Sequence, residues 1–207
     1  MPSADELLDF LRTRRSVRRF KPDPVADEAV SRVIAAATHA PSAHNLQPWR
    51  FVVINKTLSA RSAQSADKRT KLAQALAAAL RADMAAEGAP ASEIETRAAR
   101  SARRIDEAPV LILLCRDVTA VRADTPEERV MSIQSVANAA TYLLLAAHAE
   151  GLGGNWVCWP LYAQEETRSA LELPETWEPQ AMIFVGWAEE EPKEKILRLA
   201  NEIVIEK

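Results

Sequence analysis

Six consecutive apolar residues, Val110-Leu111-Ile112-Leu113-Leu114-Cys115, constrain this chain of 207 residues most, because a strand with no polar side needs cover on both faces. They predict a central strand. The sequence on either side supplies helices to cover it. Ser3 and Glu6 have the spacing of a capping box for a first helix. Pro22-Asp23-Pro24 then ends a basic segment before Val30, Val33, Ile34 and Ala37 repeat at helical spacing. Trp49 opens a second apolar run through Phe51, Val52, Val53 and Ile54 that reads as a buried strand. Residues 57–107 are rich in Ala, Arg and Lys and read as a helical excursion, broken at Gly88-Ala89-Pro90 and restarted by Ser92 with Glu95 as a second capping box. Thr125, Pro126 and Glu128 open a long helix that ends at Gly151 and would run roughly 37 Å at the usual rise per residue. Its face of Ile133, Ala137, Ala140, Leu144 and Ala147 has enough small residues for another helix to approach closely. Gln164 to Leu171, Trp177 and the stretch Ala181 to Gly186 read as packing elements.

A chain of this length can bury roughly 70% of its unfolded surface around one core, so residues 1–207 are expected to form a single domain. The net charge of −3 and the lack of an extended basic face argue against a nucleic-acid partner. No apolar run approaches ~20 residues and no leader pattern is present, so neither a membrane span nor a signal peptide is expected, and the expected location is cytoplasmic. Cys115 and Cys158 lack paired spacing, which predicts free thiols, with Cys158 a small buried residue. His39, His44 and His148 show no metal-ligand spacing, so no metal is expected.

Three motifs carry chemistry. In Arg14-Arg15-Ser16-Val17-Arg18-Arg19-Phe20, forked donors of fixed charge surround a hydroxyl, a set suited to a phosphate; a solvated helix end is the competing reading. In Ala40-Pro41-Ser42-Ala43-His44-Asn45-Leu46-Gln47-Pro48-Trp49, two prolines fix the backbone while Ser42, Asn45 and Gln47 present groups that match the carbonyl and imide edge of a heterocycle. The competing reading is a loop that satisfies only its own backbone. Gly151-Leu152-Gly153-Gly154 follows a helix and has the wrong spacing for a dinucleotide fingerprint. Gly151 reads as a left-handed helix cap, and Gly153 and Gly154 as letting the next strand, Asn155 to Trp159, approach a flat ligand.

Together these motifs resemble the nitroreductase family of flavin enzymes, in which an R-R-S-x-R segment precedes a P-S-x-x-N-x-Q-P-W-x-F turn. The likeness extends through Glu150 to Val157 and Leu173 to Gln180, and Arg14 to Phe20 with Gly151 to Trp156 is most similar to domains like the flavin-binding C-terminal half of coenzyme F420 gamma-glutamyl ligase. The resemblance implies an α+β, nitroreductase-like fold: a central mixed, mostly antiparallel sheet flanked by helices, in an intertwined homodimer with FMN at the subunit interface. It also implies that NADH or NADPH passes hydride to flavin N5 and that a nitroaromatic, quinone or related unsaturated small molecule then takes the electrons, with no catalytic side chain. The cofactor-binding residues it implies are Arg14, Arg15, Ser16, Arg18, Pro41, Ser42, Ala43, Asn45, Gln47, Trp156, Val157, Cys158, Trp159 and Arg198. The indole of Trp159 and the thiol of Cys158 depart from many relatives, and Trp159 either stacks over substrate or partly fills the site. Alternatives are a flavin binder without nicotinamide-driven turnover, a reductase of an F420-like biosynthetic metabolite, and a non-redox binder of a phosphate ligand.

Overall fold

The computed structural model describes residues 2–56, 63–192 and 194–205; residues 57–62 of the expected excursion lie outside them. In chain order the elements are α1 (Ala4–Thr13), α2 (Asp27–Ala37), a 3-10 turn (Ala43–Asn45), β1 (Trp49–Asn55), α3 (Ala63–Ala86), α4 (Ala91–Glu107) and β2 (Val110–Asp117). They continue with α5 (Pro126–Ala149), β3 (Gly153–Val157), α6 (Trp159–Tyr162), α7 (Gln164–Leu171), β4 (Trp177–Gly186) and α8 (Ala200–Ile203). The fold is α+β, with a sheet of order β1-β2-β4-β3. The paired strands all run antiparallel. A parallel element comes from the segment after α1, where Ser16 bridges Gly154 of β3.

β2 lies between β1 and β4, as its unbroken apolar run requires. Val110, Ile112 and Leu114 face Val30, Val33 and Ala37 of α2 and Val136, Ala140 and Leu143 of α5. Leu111, Leu113 and Cys115 face Leu72 and Leu76 of α3, Ile105 of α4 and Leu171 of α7. Successive side chains of one strand thus feed two cores, one on each side of the sheet. β1 is an edge strand with Phe51, Val52 and Val53 only half-buried, so its apolar run marks proximity to both cores and not an interior position.

α5 begins as expected, with the Thr125 hydroxyl accepting from the Glu128 N–H. Its buried stripe is Ser132, Ser135, Val136, Ala139, Ala140, Leu143 and Ala147. Ile133, Ala137 and Leu144 border that stripe and are half-buried. With a mean hydropathy of 1.4 over its most apolar window, α5 is long and apolar enough to cross a membrane by length and composition, yet its stripe is spent on the sheet.

The capping box at Ser3 and Glu6 forms. The one expected at Ser92 and Glu95 does not: Pro90 occupies the N-cap, which puts Ser92 inside the first turn, and Glu95 instead bonds Arg81 of α3 at 2.8 and 2.9 Å. A second tie joins this helical pair to the sheet. Arg69 on α3 is 5% exposed and donates to the carbonyls of Ile105, Ala108, Ile54 and Pro109 at 2.7, 2.7, 3.0 and 3.3 Å. It has no carboxylate partner among the described residues, and burial lowers its pKa to about 10. A cation among carbonyls at the end of α4 is favoured by the helix dipole.

Replacing Arg69 by Leu removes the donor from four carbonyls and is expected to cost about 3 kcal/mol of stability in a urea titration. An unchanged unfolding midpoint would show that the clamp is dispensable.

Candidate functional site

The arginine segment is placed by an inward-pointing valine. Val17 is 3% exposed and its N–H donates to the Gly154 carbonyl at 3.0 Å. A Cβ on Gly153 would come within 2.7 Å of the Val17 Cβ, and one on Gly154 within 2.6 Å of Leu144. The two glycines therefore admit Val17 and Leu144. Gly151 is the left-handed cap expected of it, at φ 73°.

With Val17 turned in, Ser16 and Arg18 on either side of it line a cavity of 870 Å³. Arg18 and Arg14 have no ion-pair partner among the described residues, whereas Arg19 is paired with Glu190 at 3.1 Å. Glu190 also accepts from the N–H groups of Arg18 and Arg19, which fixes the backbone and leaves the Arg18 guanidinium uncompensated. Arg14 and Arg15 line a second cavity of 140 Å³ with His148 and Gly151 to Gly154. Arg15 is turned back onto the carbonyls of Arg12 and Arg14, where it caps the end of α1. His148 Nε2 is 3.1 Å from the Thr13 hydroxyl. Burial first, then Arg14 and Arg15, hold His148 below its ordinary pKa.

The proline-bracketed segment forms a single 3-10 turn, Ala43–Asn45, and His44 and Asn45 within it and Gln47 just after it have φ of 52°, 55° and 49°. Left-handed backbone at three non-glycine residues is strained and needs external ties. Two such ties come from α5, with Ser135 accepting from the Ala43 N–H at 3.1 Å and Asn138 donating to the Pro41 carbonyl at 3.2 Å, and within the turn the Ser42 hydroxyl accepts from the Gln47 N–H at 3.1 Å. Gln47 Nε2 donates to Asn45 Oδ1 at 3.2 Å, leaving the Asn45 amide donor and the Gln47 carbonyl acceptor for another molecule. Pro41, Ser42 and Ala43 line their own hollow of 310 Å³.

One chain does not bring these two motifs together. The turn is tied to Ser135 of α5, and Thr13, which leads into the arginine segment, to His148; these stand about 20 Å apart along that helix. Arg198 is exposed and lines none of the cavities described here.

β3 ends at Val157, so Trp156 and Val157 lie in the sheet and Cys158 turns outward as the N-cap of α6. Cys158 is exposed, against the expectation that it would be buried. Cys115 is the buried thiol, its pKa pushed up to about 12 by burial. Trp159 packs edge-on against Phe184 at 5.9 Å and also lines a cavity of 420 Å³ with Leu76, Leu80 and Met84 of α3 and Tyr162. It thus acts both as a core aromatic and as a cavity wall.

Arg100, Arg103 and Arg104 of α4 and Lys56 complete the wall opposite Arg18. In the sequence the three arginines lie in the helical excursion, with no role assigned; the available signal was the spacing of Arg97, Arg100 and Arg104, which stacks them on one side of a helix. Arg104 is held below its ordinary pKa by burial and then by Arg100, Arg18 and Arg103, with Glu190 opposing. Glu107, Glu189, Glu190 and Glu191 line the same cavity, with Glu190 drawn to Arg19 and Glu107 to Arg103, so the cavity carries both signs of charge with cations in excess.

A family model described as the nitroreductase family matches residues 11–187. The chain is 35% identical over 197 residues to a 5,6-dimethylbenzimidazole synthase of Rhodospirillum rubrum, covering 92% of this chain and 86% of that one. It is 26% identical to a protein of Methanothermobacter thermautotrophicus named as an NADH dehydrogenase/NAD(P)H nitroreductase, over 98% of this chain and 87% of that one. Among solved structures, one described as a nitroreductase in complex with FMN from Desulfovibrio desulfuricans superposes with a TM-score of 0.73 at 26% identity, covering 100% of this chain and 98% of that one.

Gly153→Ala is expected to push Val17 off β3, to destabilise the protein by about 2 kcal/mol, and to weaken phosphate-ligand binding more than that loss of stability explains. Binding at wild-type strength, measured by isothermal titration with inorganic phosphate or FMN, would show that the segment need not lie on the strand.

Proposed function

Because the chain belongs to the nitroreductase family, we propose that it is a single-domain, cytoplasmic, FMN-dependent oxidoreductase, acting as a homodimer, that draws reducing equivalents from NADH or NADPH. They pass to a nitroaromatic, quinone or related unsaturated acceptor, with donor and acceptor visiting one pocket in turn. The observation that carries the reading is the uncompensated Arg18 guanidinium beside Ser16 on the wall of the large cavity, with Arg14 around the corner of the same segment.

The residues fit this cofactor. Arg14 and Ser16 would hold its phosphate, Arg18 would favour negative charge on the pyrimidine side of its ring, and the Asn45 donor with the Gln47 acceptor would match the imide edge. β3 is an edge strand, bridged on its outer side by Ser16 at Gly154, so backbone donors near Trp156, Val157 and Cys158 border the same region. When bound, FMN supplies two-electron hydride exchange at N5. The chain's part is to bind, to orient, and to supply positive potential.

Dimerisation joins the separated motifs. α1 buries no residue although Leu7, Leu8 and Leu11 are 51%, 44% and 52% exposed, and α5 exposes Val130 at 52% and Tyr142 at 40%. A two-fold pairing of antiparallel α5 helices covers such surface and sets the turn of one subunit beside the arginine segment of the other. Arg198 then reaches the site only if the tail of 194–205 folds against a subunit surface.

The identity to the R. rubrum protein favours a second reading, formation of 5,6-dimethylbenzimidazole; an F420-like metabolite is a further candidate acceptor, resting only on the motif resemblance of Arg14 to Phe20 and Gly151 to Trp156. The test is anaerobic: the purified, FMN-loaded protein should bleach on adding NADH or NADPH and regain colour with an acceptor. A yellow protein that neither nicotinamide bleaches would overturn the proposed donor, and release of 5,6-dimethylbenzimidazole when oxygen is admitted to the reduced, FMN-loaded protein would favour the second reading.

Two further outcomes follow from the site. Arg18→Ala should weaken FMN binding roughly tenfold or shift the flavin potential, more than any Ser or His replacement does. FMN should also raise the pKa of His148, because a phosphate beside Arg14 and Arg15 offsets the field that now depresses it. An NMR titration of His148 that is the same with and without FMN would place the phosphate elsewhere.

A further inference from the structure

The large polar cavity and the apolar cavity beneath α3 share two lining residues, Arg100 and Arg104. On the polar side they share the wall with Arg18, Arg103 and Lys56 and with four glutamates, two of which, Glu107 and Glu190, are drawn to Arg103 and Arg19; on the other side they adjoin Leu76, Leu80, Met84, Trp159 and Tyr162, with Asp83 and Glu87 on the same lining. Arg103 is drawn to Glu107 at 3.6 Å and Arg97 to Glu93 at 3.7 Å. Arg100 and Arg104 have no carboxylate partner among the described residues. They are four residues apart on α4, where like charges repel, and Arg104 is half-buried beside a third arginine, Arg18. Such an arrangement costs stability and is relieved by an anion.

Resting on the oxidoreductase reading above, we propose that Arg100 and Arg104 form an anion-recognition site at the junction of the two cavities, selecting acceptors that carry a carboxylate or phosphate on an apolar, ring-sized body. The anion lies in the fork of the two guanidinium groups, which suits bidentate oxygen acceptors. The body lies in the 420 Å³ cavity against the Trp159 indole, a volume ample for one aromatic ring. This assigns a task to the helical excursion: α3 supplies the apolar floor and α4 the charge. The Arg69 clamp at the end of α4 holds the pair in place. Neutral acceptors of the same shape find the floor but not the fork.

The test uses three probes of one ring size: 4-nitrobenzoate, 4-nitrophenyl phosphate and the neutral 4-nitrobenzamide. Isothermal titration on the purified protein, with and without added FMN, should give at least tenfold tighter binding of one or both anions than of the amide, and the preference should shrink as salt rises. Preference for both anions marks a general anion fork; preference for the benzoate alone or the phosphate ester alone identifies the group selected. In turnover, the ratio of kcat/KM for the preferred anion to that for the amide should fall to near 1 in the double variant R100Q/R104Q. Equal affinities in the wild type, or a preference that survives the double variant, would overturn the proposal. So would a double variant that releases FMN yet keeps the anion preference, which would give these arginines to the cofactor. Should FMN bind and NAD(P)H bleach it while the probes are not distinguished, this inference fails and the oxidoreductase reading stands. Failure to bind FMN at all would instead remove the reading beneath it.

Discussion

Val17 lying on the glycine pair of β3 is the contact on which the candidate site depends. The segment after α1 is held at one end by the parallel bridge of Ser16 to Gly154 and at the other by an antiparallel bridge of Phe20 to Ala188, just past β4, so that Ser16 and Arg18 open onto one cavity and Arg14 onto another. Apolar burial at one position thus sets the direction of charged side chains on either side. This is an economical way to hold cations near an edge strand, because the valine is buried and the arginines remain partly hydrated.

The same division between an apolar anchor and a polar face recurs in the turn and in the excursion. Pro48 and Trp49 are buried while the carboxamides of Asn45 and Gln47 stay exposed, and the strained backbone between them is tied to α5. Ile94, Ala98 and Ile105 bury one side of α4 while its arginines face the cavities. α5 links the pieces, with its start under the turn and its end under the arginine segment. Its length is what separates the two motifs within one subunit, and the proposed homodimer would bring them together.

Much of this was legible in the residues because local chemistry decided it. The unbroken run at Val110 had to be central, Gly151 had to cap a helix, and the prolines had to punctuate a turn. What was not legible depended on where elements pack. The edge position of β1, the outward turn of Cys158 and the role of Gly153 follow from neighbours distant in sequence, Val17 and Leu144 among them. The Ser92 cap failed because a proline two residues earlier had already started the helix. The arginines of α4 were visible as a spacing, but only their junction between two cavities distinguishes them from an ordinary solvated face.

A crystal structure of the protein grown with FMN tests the central claim most directly. The phosphate is expected between Arg14 and Ser16 of one protomer, Arg18 against the pyrimidine side of the ring, and Asn45 and Gln47 of the other protomer along its imide edge. A flavin held wholly within one chain away from the arginine segment, or a fully folded protein that takes up no FMN at saturating concentration, would contradict that claim.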